Sequence, residues 1–66
     1  MEVKINHKDE VLVEGTTLAQ LAEARKIGNK GVAIAVNGEI VHATDWALTT
    51  INPHDDIIII KALCGG

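Results

Sequence analysis

The sequence predicts an α+β fold in which one main helix packs on one face of a mixed sheet of four to five strands. Three observations lead to this prediction. Apolar and polar residues alternate at the start of the chain, a capped amphipathic segment follows at residues 18–27, and a β-branched run, Ile57–Ile60, lies near the end. With 66 residues the chain forms one domain. A single helix can cover only one face of such a sheet, so the other face is expected to stay open.

The first two strands are predicted to form a hairpin. Residues 2–6 read Glu-Val-Lys-Ile-Asn, which is the alternation of a half-buried strand. Residues 7–10 are polar and typical of a turn, and Val11–Val13 is the expected returning strand.

The helix is expected to begin after Thr17 and to end near Ile27. Thr17 and Gln20 have the spacing of a capping box, in which each side chain satisfies the other residue's backbone N–H. Leucine and alanine then recur at helical spacing on one face. Gly28 is the expected terminator, because glycine readily adopts a left-handed conformation.

The second half of the chain contains another predicted hairpin. Val32–Val36 is short and wholly apolar, as expected for an inner strand. Asn37 and Gly38 both accept a positive φ and so predict a tight turn into the strand Glu39–Val41. A single turn carrying Trp46 follows, and its indole is interpreted as a lid over the sheet end.

The last strand is predicted over residues 57–63, in the centre of the sheet and parallel to the first strand, because its composition is too apolar for an edge. This strand order defines a β-grasp, or ubiquitin-like, fold. Successive side chains of a strand point to opposite faces of the sheet, which predicts how the residues of this strand are divided. The residues expected on the open face, as a partner-binding surface, are Ile57, Ile59, Lys61 and Leu63. Those expected to face the helix are Ile58, Ile60 and Ala62. Alternatively, the turn with Trp46 and Leu48 covers part of the open face.

Composition excludes several classes of function. The net charge is −3 and Trp46 is the single aromatic residue, so neither a phosphate-binding basic surface nor a base-stacking platform is expected, and no nucleic acid is predicted as a partner. No apolar run reaches the length of a membrane span. With one cysteine and no secretory pattern at the N-terminus, the chain is expected to be cytoplasmic, and monomeric when free.

The terminal glycines are the most informative residues for function. The domain is predicted over residues 1–63, followed by a flexible tail, residues 64–66, that reads Cys-Gly-Gly. The Gly66 carboxylate is an anion at neutral pH and must be activated before a nucleophile can attack it; adenylation by ATP achieves this. Gly65 and Gly66 lack Cβ atoms and can enter a narrow active site. The alternative is a frayed terminus without a function.

Over its whole length the chain resembles the ubiquitin-like sulfur carrier proteins, and more narrowly the ThiS family of thiamin thiazole synthesis. The resemblance rests on the chain length, the segment Ala35–Val41, Trp46, Asp56 with the isoleucine run, and the terminal Gly65-Gly66. The sequence departs from the family at Cys64, where a small apolar residue is usual. We interpret Cys64 as a small hydrophobic residue; the alternative is a thiol that exchanges sulfur with the neighbouring tail.

The resemblance implies a protein cosubstrate and not an enzyme. A ThiF-type adenylyltransferase would consume ATP to form an acyl-adenylate on Gly66, and a cysteine desulfurase or another sulfur donor would convert it to a thiocarboxylate. A ThiG-type thiazole synthase would then take the sulfur. The chain itself would bind no cofactor.

Other candidate sites are weaker. His7, His42 and His54 lack the close pairing of metal ligands, so no metal site is predicted. The acidic residues Glu39, Asp45, Asp55 and Asp56 are interpreted as ordinary solvated surface; the alternative is an acidic face that steers the domain toward a basic partner. Three alternative functions remain open: a MoaD-like carrier for molybdopterin synthesis, a ubiquitin-like modifier of lysines, and an interaction module with idle glycines.

Overall fold

A computed structural model describes residues 1–28 and 31–61 of the chain. These described residues form a five-stranded sheet, one α-helix and one 3₁₀ helix. The strands are β1 (Glu2–Ile5), β2 (Lys8–Val11), β3 (Val32–Val36), β4 (Glu39–Val41) and β5 (Asp56–Lys61). The helix α1 spans Leu18–Ala24, and the 3₁₀ helix spans Ala43–Leu48.

The sheet order is β2-β1-β5-β3-β4, which confirms the predicted β-grasp arrangement. β5 is the central strand: it runs parallel to β1 and antiparallel to β3. The two hairpins, β1–β2 and β3–β4, therefore lie on opposite sides of the strand from which the tail continues.

The first hairpin turns earlier than predicted. Its loop consists of Asn6 and His7 alone, and Ile5 pairs directly with Lys8. Both loop residues have positive φ angles, 51° and 68°, as the tightest hairpin turns require. The predicted turn residues 8–10 are consequently part of β2. The Asn37-Gly38 turn has the same geometry, with φ angles of 52° and 87°, and its prediction is confirmed.

The helix begins as predicted and ends three residues early. The Thr17 side chain accepts from the Gln20 backbone N–H at 3.2 Å, and the Gln20 side chain accepts from the Thr17 N–H at 2.9 Å. At the other end, Lys26 adopts the left-handed conformation (φ 55°) that was predicted for Gly28. The N–H of Ile27 then donates to the carbonyl of Ala22 at 2.8 Å, which closes the helix with a Schellman motif.

The core lies between α1 and one sheet face. Its buried residues are Val3, Ile5, Leu18, Leu21, Ala22, Ile34, Trp46, Ile51 and Ile57. Trp46 is 5% exposed, and its indole N–H donates to the carbonyl of Val41 at 2.9 Å, so its interpretation as a core lid is confirmed. In the described part of the chain, no helix is long and apolar enough to cross a membrane.

Candidate functional site

The tail and its immediate approach fall outside the described residues. This segment contains the predicted helix-facing residue Ala62, the predicted partner residue Leu63, and Cys64, Gly65 and Gly66. The structure does describe β5, the strand that carries the tail, and the surfaces on either side of it.

The start of β5 is fixed by hydrogen bonds from two neighbouring segments. The Asn37 side chain donates to Asp55 Oδ1 at 2.9 Å and accepts from the Asp56 backbone N–H at 3.0 Å. The second carboxylate oxygen of Asp55 accepts from the Asn52 N–H at 2.8 Å. Asp55 is only 7% exposed, so its interpretation as solvated surface is wrong. This carboxylate is a buried connection between the Asn37-Gly38 turn and the central strand.

The middle of β5 is held by β1 and by the turn that follows β1. The backbone N–H of Asn6 donates to the carbonyl of Ile57 at 2.9 Å. Further along, the N–H of Ile59 donates to the side-chain oxygen of Asn6 at 2.8 Å. The Asn6 side chain thus continues the hydrogen-bond ladder beyond the end of β1, and β5 is supported to within two residues of Lys61.

The predicted division of β5 between the two faces is wrong. Ile57 is fully buried and Ile59 packs against the core, so both face α1. Ile58 is half-buried and Ile60 is 50% exposed, on the opposite face. The face is set by the partners of the strand, because Ile57 pairs with the core residue Ile5. In a run of four isoleucines no polar residues alternate with the apolar ones, so the sequence does not indicate which side chains face the core.

The open face therefore presents a different apolar surface from the one predicted. Strand register places Ile60 beside Ala33, Ile58 beside Ala35, and Ala35 beside Ile40. Ile40 is 57% exposed and Ile60 is 50% exposed. We call these residues of the three neighbouring strands the open-face patch. The 3₁₀ helix packs on the α1 side, where Trp46 is part of the core. The alternative prediction, in which the turn with Trp46 and Leu48 covers part of the open face, is therefore not observed.

A second surface lies beside the end of β5, on the α1 side. Ile59 and Lys61 line a groove there together with Asn6, Arg25 and Ile27. Lys61 is exposed, as predicted. Arg25 forms an ion pair with Glu10 of β2. Of the predicted partner surface, Ile57 is thus excluded by burial, whereas Ile59 and Lys61 reach this groove.

The histidines lie apart from one another. His7 is in the first hairpin turn, His42 precedes the 3₁₀ helix, and His54 is in the turn before β5. Within residues 1–28 and 31–61, no three His, Cys, Asp or Glu side chains lie close enough to hold a metal ion.

Comparison with known proteins identifies relatives over the full chain. The profile of the ThiS family matches residues 2–66. The sulfur carrier protein ThiS of Escherichia coli (strain K12) is 27% identical over 66 residues, which is 100% of each chain.

The fold is shared with two solved structures. The crystal structure of the thiamine biosynthesis protein ThiS from Geobacter metallireducens superposes with a TM-score of 0.83 at 23% identity, covering 100% of both chains. The NMR structure of a thiamine biosynthesis protein from Geobacter metallireducens gives 0.81 at 23% identity, covering 100% of this chain and 88% of that one. At this identity the likeness establishes the β-grasp fold.

Proposed function

Because the chain belongs to the ThiS family, we propose that it is a cytoplasmic sulfur carrier whose Gly66 thiocarboxylate supplies the sulfur of the thiamin thiazole ring. The observation that carries the proposal is the family match over residues 2–66, which includes the terminal Gly65-Gly66. In this proposal the chain is a cosubstrate of its partners.

The activation chemistry follows from the low reactivity of a carboxylate. A Gly66 carboxylate oxygen attacks the α-phosphorus of ATP in a ThiF-type adenylyltransferase, and pyrophosphate leaves. A persulfide sulfur, delivered from a cysteine desulfurase, then attacks the carbonyl carbon of the acyl-adenylate, and AMP leaves. A thiol reduces the resulting acyl disulfide and releases the thiocarboxylate. A ThiG-type thiazole synthase consumes its sulfur.

The geometry of β5 supports a tail presented from a rigid base. β5 is the central strand, and side chains of Asn37 and Asn6 hold its start and its middle. Five residues, 62–66, follow Lys61. Five residues span at most about 18 Å when fully extended. The folded domain must therefore contact the partner close to the entrance of the partner's active site.

We propose the open-face patch as that contact. Its exposed members, Ile40 and Ile60, lie with Ala33, Ala35 and Ile58 on β5, β3 and β4, three consecutive strands of the sheet. An exposed apolar patch of this kind, which extends from the central strand to the edge strand β4, is a surface that becomes buried at an interface. Since Ile60 is six residues from Gly66, a partner that covers it is within reach of the tail.

The proposal is tested by reconstitution with a ThiF-type adenylyltransferase, ATP and a sulfide source. With the full chain, we expect pyrophosphate to be released from ATP and sulfur to be gained at Gly66. With a chain lacking Gly66, we expect neither. A Cys64→Ala variant is expected to accept and deliver sulfur at the normal rate, because we assign Cys64 no chemistry. Slow delivery by this variant would instead support thiol exchange.

The same preparation separates the alternative functions. A MoaD-like carrier would gain sulfur but deliver it to molybdopterin synthase and not to thiazole synthase. A ubiquitin-like modifier would appear in covalent high-mass adducts with lysines. An interaction module would bind its partner equally well without ATP and without Gly66.

A further inference from the structure

A groove separate from the tail and the open-face patch lies between α1 and the segment that begins at Val11, the last residue of β2, and leads to the helix. It has a volume of about 750 Å³. Residues 11–16 line one side, and Gln20, Glu23 and Ala24 line the other. We call it the β2–α1 groove.

The strand edge beside this groove has free hydrogen-bonding capacity. Leu12 and Met1 exchange two hydrogen bonds, Leu12 N–H to Met1 O at 2.9 Å and the Met1 amino group to Leu12 O at 2.7 Å. Hydrogen bonding alternates along an antiparallel pair, so the N–H and C=O groups of Asp9 and Val11 point away from β1. Across residues 1–28 and 31–61, β2 has a strand neighbour on one side only. Its outer edge can therefore accept another strand.

Two exposed apolar side chains lie at the end of this edge and just beyond it, after the charged residues Lys8, Asp9 and Glu10. Val11 is 76% exposed and Val13 is 80% exposed. Leu12, between them, packs partly against the core. A strand added to β2 would place alternate side chains beside the two valines and, on its other face, over Leu12 and Ala24 in the groove.

Charge distinguishes between possible occupants. Glu14 and Glu23 both line the groove, and the nearby cation Arg25 is already paired with Glu10. A second copy of this chain would bring its own glutamates to the same edge, where like charges repel. A segment with lysine or arginine between β-branched residues complements both the valines and the glutamates.

We propose that the β2–α1 groove is a second docking site, which binds an extended basic segment of a partner protein as a sixth strand of the sheet. β2 is antiparallel to β1, and β1 is parallel to β5, so the Val11 end of β2 lies at the opposite end of the sheet from Lys61. A partner bound here leaves the tail end of the domain accessible. One protein can thus hold the domain while another enzyme acts at the tail.

A capped peptide in which valine alternates with lysine serves as the probe, titrated into the ¹⁵N-labelled full chain. We expect amide shifts at residues 9–13 and along the α1 side of the groove, and slowed hydrogen exchange at the outward Asp9 and Val11 N–H groups. The same peptide with every backbone nitrogen methylated keeps its side chains but has no N–H group to donate to β2, so it cannot pair as a strand. It is expected to lose binding at least tenfold, and a peptide with glutamate in place of lysine is also expected to bind more weakly.

Variants of the chain provide the second test. Val11→Pro removes an N–H that makes no bond to β1, and should abolish strand pairing. If that variant does not fold, Val13→Glu is used instead. Val13 lies beyond the end of β2, so this substitution leaves the β1–β2 pairing unchanged. Reversal of one charge, Glu14→Lys or Glu23→Lys, is expected to weaken binding by up to about fivefold.

Three results would overturn the proposal. They are shifts centred on Ile40 and Ile60, equal binding of the methylated peptide, and association of the chain with itself through β2 without peptide. Because the titration requires no sulfur transfer, a chain lacking Gly66 is expected to bind the peptide normally. Failure of this proposal is therefore distinguishable from failure of the proposed carrier function.

Discussion

The side chain of Asn37 donates to the buried carboxylate of Asp55 at 2.9 Å, across 18 positions of sequence. The same side chain accepts from the N–H of Asp56, and Asn37 itself holds a positive φ of 52° in its turn. One residue therefore shapes the β3–β4 turn and positions the first residues of the strand that carries the tail.

Replacing Asn37 separates these two roles. Asn37→Gly keeps the backbone conformation and removes the bonds, and should lower the free energy of unfolding by about 1–3 kcal/mol because the Asp55 carboxylate loses a donor. Asn37→Ala should cost about 1 kcal/mol more, since alanine resists a positive φ. Urea unfolding of both variants measures the difference. Wild-type stability of Asn37→Gly would show that the connection contributes nothing.

Two conservative changes test how β5 faces the core. Ile57→Val should destabilise the domain by about 0.5–1.5 kcal/mol, because it removes a fully buried methylene. Ile60→Val, on the half-exposed side, should change stability by no more than about 0.5 kcal/mol. Thermal unfolding of the matched pair is the measurement. A larger loss of stability for Ile60→Val than for Ile57→Val would instead support the sequence-based prediction that Ile60 faces the helix.

The helix end offers a stabilising substitution. Lys26 holds a left-handed conformation, with φ of 55°, that glycine adopts without strain. Lys26→Gly is expected to raise the free energy of unfolding by about 1 kcal/mol. Lys26→Ala is the control and should give little gain, because alanine has the same Cβ. Equal effects of the two variants would mean that the charge of Lys26, and not its backbone conformation, matters here.

The open-face patch makes a kinetic prediction. Ile60→Lys should raise the KM of the adenylyltransferase for this chain by about tenfold or more and leave kcat nearly unchanged, because it weakens docking and not the chemistry at Gly66. Leu48→Lys is the matched control: Leu48 is 83% exposed, in the 3₁₀ helix that contacts α1. Equal KM values for the two variants would place the contact elsewhere on the domain.

The features predicted correctly are those with strong local signals. The Asn37-Gly38 turn, the Thr17 cap and the central position of the isoleucine strand all follow from residue types and spacing. The first turn differs from the prediction because Asn6 and His7 form it without the glycine that usually marks a two-residue hairpin loop.

The features that were predicted wrongly, or not at all, are set by contacts between residues that are far apart in the sequence. Which face Ile57 occupies is decided by Ile5, more than fifty residues away in sequence. The burial of Asp55 depends on a donor from another hairpin, and no local pattern reveals it. The β2–α1 groove likewise forms only when the helix packs beside the hairpin, although the apolar spacing of Val11 and Val13 was visible in the sequence.

Intact mass spectrometry of the chain, isolated from its native cell under reducing conditions, tests the carrier function most directly. We expect a fraction heavier by the mass difference between a sulfur and an oxygen atom, located at Gly66 by fragmentation and lost when Gly66 is deleted. If no such species formed, even with the activating enzyme, ATP and a sulfur source supplied, the proposal that Gly66 carries sulfur would be contradicted.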